Sequence, residues 1–441
     1  MKKMIPAILA ILACAACTRT SSPGHHPEWT YNSVMYEVNI RQFSPEGTFA
    51  GVEAQLPRLK ELGVDILWLM PMYEIGTAER KGSLGSYYAI SDYCKVNPEF
   101  GTMEDFDHLL AAAHDAGFKV ILDWVANQTA PDHIWMTQRP ADYYERDSLG
   151  NAIYEYDWND TRSLNYENEA VWAAQDSCMR FWLKKGVDGF RCDAAGEMPA
   201  KFWQSVMPKM NADYPEAFFL AEAERVNLSN PDSTFDANYA WELHHILNEV
   251  ASHKKTVTDI KDYLVRDGER FPETAFRLTF TSNHDENSWQ GTEFERMGDA
   301  ANACAVLCFT LPKSQPLIYT GQEIGLDRRL AFFEKDPITD WSDNSYTEFF
   351  KKLVWLKHNN PALDAGERGG TYEEIDAPGG VYAFSREKDG NKVVIVVNFN
   401  EIDASVTLNL DCRYTELFTG GEAEGEVSQV VRPGGYLVLY K

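Results

Sequence analysis

A (β/α)8 barrel followed by a small antiparallel β domain is the fold this sequence predicts, and three features predict it. From residue 34 to about 360, short apolar strand-like runs alternate with helix-like segments, which is the recipe for a barrel of parallel strands. After about residue 365 only short strands remain, separated by Gly-, Asp- and Pro-containing turns. Acidic residues and an arginine recur at the C-terminal ends of the barrel strands, the end where such barrels place their chemistry.

The elements follow in chain order. Residues 1–17, "MKKMIPAILAILACAAC", place two lysines before an apolar run and then small residues before cysteine. That is the pattern of an export leader, and the run is too short for a stable membrane span. Its ending resembles a bacterial lipoprotein processing site, with Cys17 the expected lipid attachment point and Cys14 the alternative. The protein is thus expected to be exported and held at a bacterial membrane, periplasmic or cell-surface, only through that lipid. Residues 18–29, "TRTSSPGHHPEW", read as a flexible tether.

The barrel occupies 30–364. Its strands are read at 34–40, 66–73, 119–127, 189–195, 217–223, 277–283 and 316–323, with a weaker one at 236–243. Helical spacing of Leu56, Leu59 and Leu62 supports a helix over 51–63, and similar patterns cover 103–118, 169–186 and 295–311. A long polar and aromatic stretch without a period, about 129–167, interrupts the repeat after strand three. Long loops at this end of a barrel carry function. Residues 365–441 contain "GVYAFSRE", "NKVVIVVNF", "ASVTLNL" and "GYLVLY" and read as a β-sandwich domain.

Composition narrows the function. The net charge of −26 excludes nucleic acid, whose phosphates need a basic surface. It suits a protein with a neutral ligand. Aromatics make up 13% of the chain; flat rings cover the apolar faces of sugars, although most of these residues are expected in the core. Cys94, Cys178, Cys192, Cys304, Cys308 and Cys412 form no metal-like spacing and read as small core residues.

The stretch "GFRCDAA" is the most informative. Arg191 and Asp193 stand two apart on a strand and therefore face the same side. Asp123 ends the third strand, Glu222 the fifth, and His284 and Asp285 the seventh. Four acids and an arginine thus converge on one barrel mouth.

On these residues the sequence resembles glycoside hydrolase family 13, the α-amylase family, over nearly the whole chain after the tether. "DWVAN", "GFRCDAA", "LAEA" and "SNHD" resemble its four conserved regions in order. The resemblance implies Asp193 as nucleophile, Glu222 as general acid/base and Asp285 as transition-state stabiliser. Arg191 would hold Asp193 ionised, and Glu222 would need a raised pKa to carry a proton. His284 would bond hydroxyls of the cleaved sugar, Tyr88 would stack on it, and Asp123 would anchor Arg191. The implied activity is retaining hydrolysis of α-1,4 bonds in starch-like glucans or maltooligosaccharides by a monomer. Transglycosylation on the same scaffold, or non-catalytic glucan binding, are the alternatives.

Three positions depart from the family pattern. Gln128, Ser86 and Glu197 stand where histidines are usual, so altered sugar binding is expected. Many members bind calcium through the asparagine matching Asn127 and carboxylates of the inserted loop. Asp157, Asp160 and Glu167 are available here, but the loop is short.

Overall fold

The computed structural model describes residues 26–230 and 234–441. Cys17, Cys14 and the leader lie outside the described residues. Eight parallel strands close into a barrel: β1 (Met35–Val38), β2 (Ile66–Leu69), β3 (Lys119–Val125), β4 (Gly189–Asp193), β5 (Phe218–Ala221), β6 (Ala237–Tyr239), β7 (Phe276–Thr279) and β8 (Ser314–Tyr319). Closure is made by β1 against β8, where Met35 pairs with Leu317.

Strand alternation divides the barrel into two cores. Inward side chains such as Met35, Ile66, Ile121, Phe218, Leu220 and Phe276 fill the interior below the mouth. Outward ones such as Phe190 and Cys192 pack into the larger core under the helices. Both faces are apolar because helices cover the outside, so these strands read as near-continuous hydrophobic runs. Each fully buried large apolar side chain contributes about 1.5–3 kcal/mol. The odd-parity positions of β4 therefore point inward, and Arg191 lies inside the barrel beside its register partner Asp123 on β3.

Two helices predicted as continuous are broken. The 51–63 segment forms Phe49–Glu53 and Leu56–Leu62, the second started by Pro57, whose ring lacks the N–H to continue the first. The 295–311 segment breaks at Gly298, whose φ of +53° and ψ of −136° only glycine adopts readily, before Ala301–Thr310. Two excursions rise above the mouth. One is the inserted loop, pinned by pairing of Gln128–Thr129 with Arg162–Ser163. The other was not foreseen: Tyr73–Ile75 pairs antiparallel with Ile90–Val96 and carries Tyr88 in its connection.

The end of the expected tether is packed. His26 is buried, stacks on Phe276 and hydrogen-bonds Asp236 at 2.9 Å. Three of the six described cysteines also depart from expectation. Cys192, Cys304 and Cys308 are buried, but Cys94, Cys178 and Cys412 are only half-buried.

After the last barrel helix, Ser345–Asn359, six strands form one antiparallel sheet: β9 (Thr371–Glu374), β10 (Val381–Lys388), β11 (Asn391–Asn398), β12 (Ala404–Glu416), β13 (Glu422–Val431) and β14 (Tyr436–Tyr440), in the order β9-β10-β11-β14-β12-β13. One face of β10 and β11, with Phe384 and Ile395, packs against the barrel's core. The other, with Ala383 and Val394, packs under Val406 and Leu408 of β12. The two layers of the sandwich are thus parts of one sheet, joined where Thr415 and Glu416 pair with β14.

Gly189 opens β4 with φ +146°, and a Cβ there would lie 1.8 Å from the Phe218 carbonyl oxygen on β5. Gly189→Ala must push these two site-bearing strands apart. It should destabilise the protein by about 2 kcal/mol or more, read as a lower midpoint in urea unfolding; an unchanged midpoint would show that the barrel absorbs the clash.

Candidate active site

Arg191 is the centre of the site and is fully buried. Its Nη1 donates to Asp123 Oδ1 at 2.9 Å and to Asp193 Oδ1 at 2.7 Å. Nη2 lies 3.0 Å from Glu222 Oε2, and Nε donates to the Tyr239 hydroxyl at 3.1 Å. Trp68 lies under the guanidinium, 5.0 Å from its ring centre. Asp123 is in turn fixed from three sides, by Arg191, by Trp68 Nε1 and by the Tyr88 hydroxyl, both of the latter at 3.1 Å. Asp123 thus accepts from Arg191 near the end of β3.

Backbone geometry places Glu222. Its N–H donates to the Cys192 carbonyl at 2.9 Å, which prolongs the β4–β5 ladder by one residue. Ala194, just past Asp193, adopts a left-handed φ of +45° and donates its N–H to Glu222 Oε2 at 2.8 Å. For a residue with a Cβ that conformation costs about 1–2 kcal/mol, a local strain of the kind found at functional sites.

His284 and Asp285 follow β7. His284 Nδ1 hydrogen-bonds Glu37 Oε1 at 2.5 Å, and Nε2 meets the Tyr88 hydroxyl at 2.7 Å. Asp285 Oδ2 is 3.4 Å from Nε2. Burial opposes the imidazolium, but the Asp285 and Glu37 carboxylates outweigh it and raise the His284 pKa to about 10. His284 is therefore a cation at neutral pH. Tyr88 stacks on His284 with ring centres 5.4 Å apart and on Phe332 at 6.1 Å.

The surroundings act on the two central carboxyls in opposite directions. Burial pushes Asp193 well above the ordinary carboxyl range; Arg191 opposes this, while Glu222 and Asp123 add to it. Burial acts on Glu222 too, but Arg191 and the Ala194 N–H overcome it and hold Glu222 below its usual value. The reason is that Arg191 is shared among three carboxylates and not given to Asp193 alone. The two acids act as one coupled pair.

These residues open into a cavity of about 720 Å³. Tyr88, Gln128, Asp193, Glu222, His284 and Asp285 all line it, as do Ser86 and Glu197. Gln128 is buried, and its backbone carbonyl accepts from Tyr93 Oη at 3.0 Å. Ser86 Oγ accepts from the Tyr88 N–H at 3.1 Å, so it supports the ring. Glu197 instead accepts from Tyr156 Oη of the inserted loop at 3.0 Å. Sequence reasoning missed Glu37, although an acid inside the apolar run "MYEV" carried the same signal as Arg191. It also missed the aromatic rim of Trp241, Trp289, Phe332 and Phe333.

The calcium expectation does not fit these residues. Lys81 Nζ donates to the Asp157 carbonyl at 2.8 Å and lies 3.3 Å from Asp160 Oδ1, so an ammonium occupies the place between them. Glu167 faces Lys201 on the surface. Asn127 Oδ1 is buried without a hydrogen-bond partner, but among the described residues no three His, Cys, Asp or Glu side chains gather there or elsewhere to hold a metal.

Comparison with known proteins gives the same picture. The family model "Alpha amylase, catalytic domain" matches residues 22–149 and 149–360, and a model of the β-galactosidase C-terminal domain matches 380–441. The α-amylase MalA of Haloarcula japonica is 29% identical over 411 residues, which cover 90% of this chain but only 60% of that protein. Alpha-amylase 3 of Dictyoglomus thermophilum is 25% identical over 474 residues, covering 92% of this chain and 93% of that one. The crystal structure of an α-amylase from Lactobacillus plantarum shares the fold with a TM-score of 0.83 at 30% identity, over 93% of this chain and 99% of that one. With the catalytic-domain match running through nearly the whole barrel, and with acids at the ends of β3, β4, β5 and β7 around one arginine, the chain belongs to the α-amylase family of glycoside hydrolases, family 13.

Proposed function

We propose that the protein is a retaining glycosidase that hydrolyses α-1,4 bonds in starch-like glucans or maltooligosaccharides. The observation that carries this reading is the meeting of Asp193 and Glu222 on one buried guanidinium, both within 3.0 Å of its nitrogens, at the floor of the cavity. Two carboxyls that share one arginine suit the short separation of a double displacement, about 5–5.5 Å, better than the wider gap that an inverting enzyme leaves for water.

Asp193 attacks the anomeric carbon while Glu222 protonates the leaving oxygen. The resulting β-glycosyl-enzyme is opened by a water that Glu222 deprotonates, and an α product leaves. Glu222 must hold a proton when the leaving oxygen lies beside it, and exclusion of water from the cavity by a bound sugar favours the neutral acid. Asp285 and the cationic His284 face the sugar ring, and Tyr88 offers it a flat apolar surface. The same glycosyl-enzyme can pass to a sugar hydroxyl in place of water, and products longer than the substrate in a maltooligosaccharide digest would report that route.

Asp193→Asn, Glu222→Gln and Asp285→Asn should each lower kcat by about three orders of magnitude or more, with unchanged far-UV circular dichroism. Near-wild-type turnover of maltoheptaose by the Asp193 variant would remove it as nucleophile.

Gln128 is a flexible neutral donor at the cavity wall, and ordering it costs rotamer entropy. Gln128→His should raise kcat/KM on maltooligosaccharides by about threefold to tenfold, the effect of about 0.7–1.4 kcal/mol. A fall on every glucan in a small α-glucoside panel would mean that Gln128 is fitted to another sugar.

We further propose that a lipid on Cys17 anchors the exported protein. Cys17→Ala should move it from the membrane to the soluble fraction; retention in the membrane would shift the assignment to Cys14.

A further inference from the structure

Cys94 and Cys178 stand apart from the buried cysteines. Cys94 lies on the strand Ile90–Val96 and Cys178 on the helix Glu169–Lys185, and both are half-buried. Helix and strand are held in contact beside them: Trp182 Nε1 donates to the Tyr93 carbonyl at 2.8 Å. Tyr93 is the chain neighbour of Cys94, and Trp182 is one helical turn beyond Cys178, on the same helix face. The two thiols lie close at this contact between strand and helix, and each is the group that most perturbs the other.

We propose that Cys94 and Cys178 form a disulfide that ties the excursion carrying Tyr88 to the helix after the inserted loop. The ring so closed spans roughly 85 residues and contains β3 and the whole inserted loop, and long rings constrain the unfolded chain most. The neighbouring Cys178 lowers the Cys94 pKa, which marks Cys94 as the attacking sulfur. Its thiolate attacks one sulfur of an external disulfide, either a dithiol–disulfide oxidoreductase or oxidised glutathione, and expels one thiol. Cys178 then loses its proton and attacks the Cys94 sulfur in the mixed disulfide, expelling the second thiol. Two protein thiols are oxidised by two electrons, and the external disulfide is reduced to two thiols.

The test uses the full chain incubated with oxidised glutathione, then denatured, alkylated without reductant and digested for mass spectrometry. A peptide linking Cys94 to Cys178, about 2 Da lighter than the two reduced peptides together, is the expected product. Dithiothreitol should lower the melting temperature of the wild type by about 3–8 °C and leave that of Cys94→Ser/Cys178→Ser unchanged. Full alkylation of both cysteines after oxidation, or pairing of either with another cysteine, would overturn the proposal. So would a melting temperature of the wild type that does not respond to reductant. None of these readouts depends on the substrate or on the catalytic roles assigned above.

Discussion

The site depends on one buried cation. Arg191 sits inside the barrel where a branched apolar residue would ordinarily fill a layer, and it is surrounded by Asp123, Asp193, Glu222, Tyr239 and Trp68. Desolvating a guanidinium costs several kcal/mol, and only full pairing offsets it. The carboxylates are equally dependent on it, since Asp123 is fully buried, Asp193 and Glu222 are largely shielded from solvent, and each repels the others. Removing one partner of such a pair typically costs about 3–5 kcal/mol. The tight register of β3, β4 and β5 is what brings the partners within reach. Barrel closure, strand spacing and site electrostatics are therefore one constraint.

Much of this was legible in the sequence. The strands could be read because helices cover their outer faces, which leaves runs such as "KVILDWV" apolar at nearly every position. Against that background a charge is conspicuous, and Asp123, Arg191 and Asp193 were found in that way. Glu37 carried the same signal but has no second charge two residues away to draw attention to it. The rim residues Trp289, Phe332 and Phe333 were not legible. An exposed tryptophan in a loop looks like any other until the fold brings distant segments together. The pairing of Tyr73–Ile75 with Ile90–Val96 was hidden for a related reason: the strands are separated by a loop with no tight-turn signature. Helix breaks at Pro57 and Gly298 are local, and their residues could have announced them.

The proton balance was the least legible feature. An arginine two residues before an aspartate on a strand suggests a private pair, and a private pair would hold Asp193 ionised. The folded protein distributes the same arginine over three acids and adds the Ala194 N–H to one of them. Which acid is ionised then depends on residues far apart in the chain.

The wall of the cavity on the side of the inserted loop is joined to the 73–96 excursion by charge. Lys81 spans Asp157 and Asp160, Arg162 pairs with Glu79, and Asp132 accepts from the N–H groups of Thr77 and Ala78. Lys81 is a tether encoded in the chain, so no chelator can strip it away, and its affinity does not follow the supply of any ion in the surroundings. Its strength follows ionic strength instead, and only weakly, because Asp160 is almost wholly shielded from solvent. The join between the inserted loop and the 73–96 excursion is in that respect built from the polypeptide's own charges.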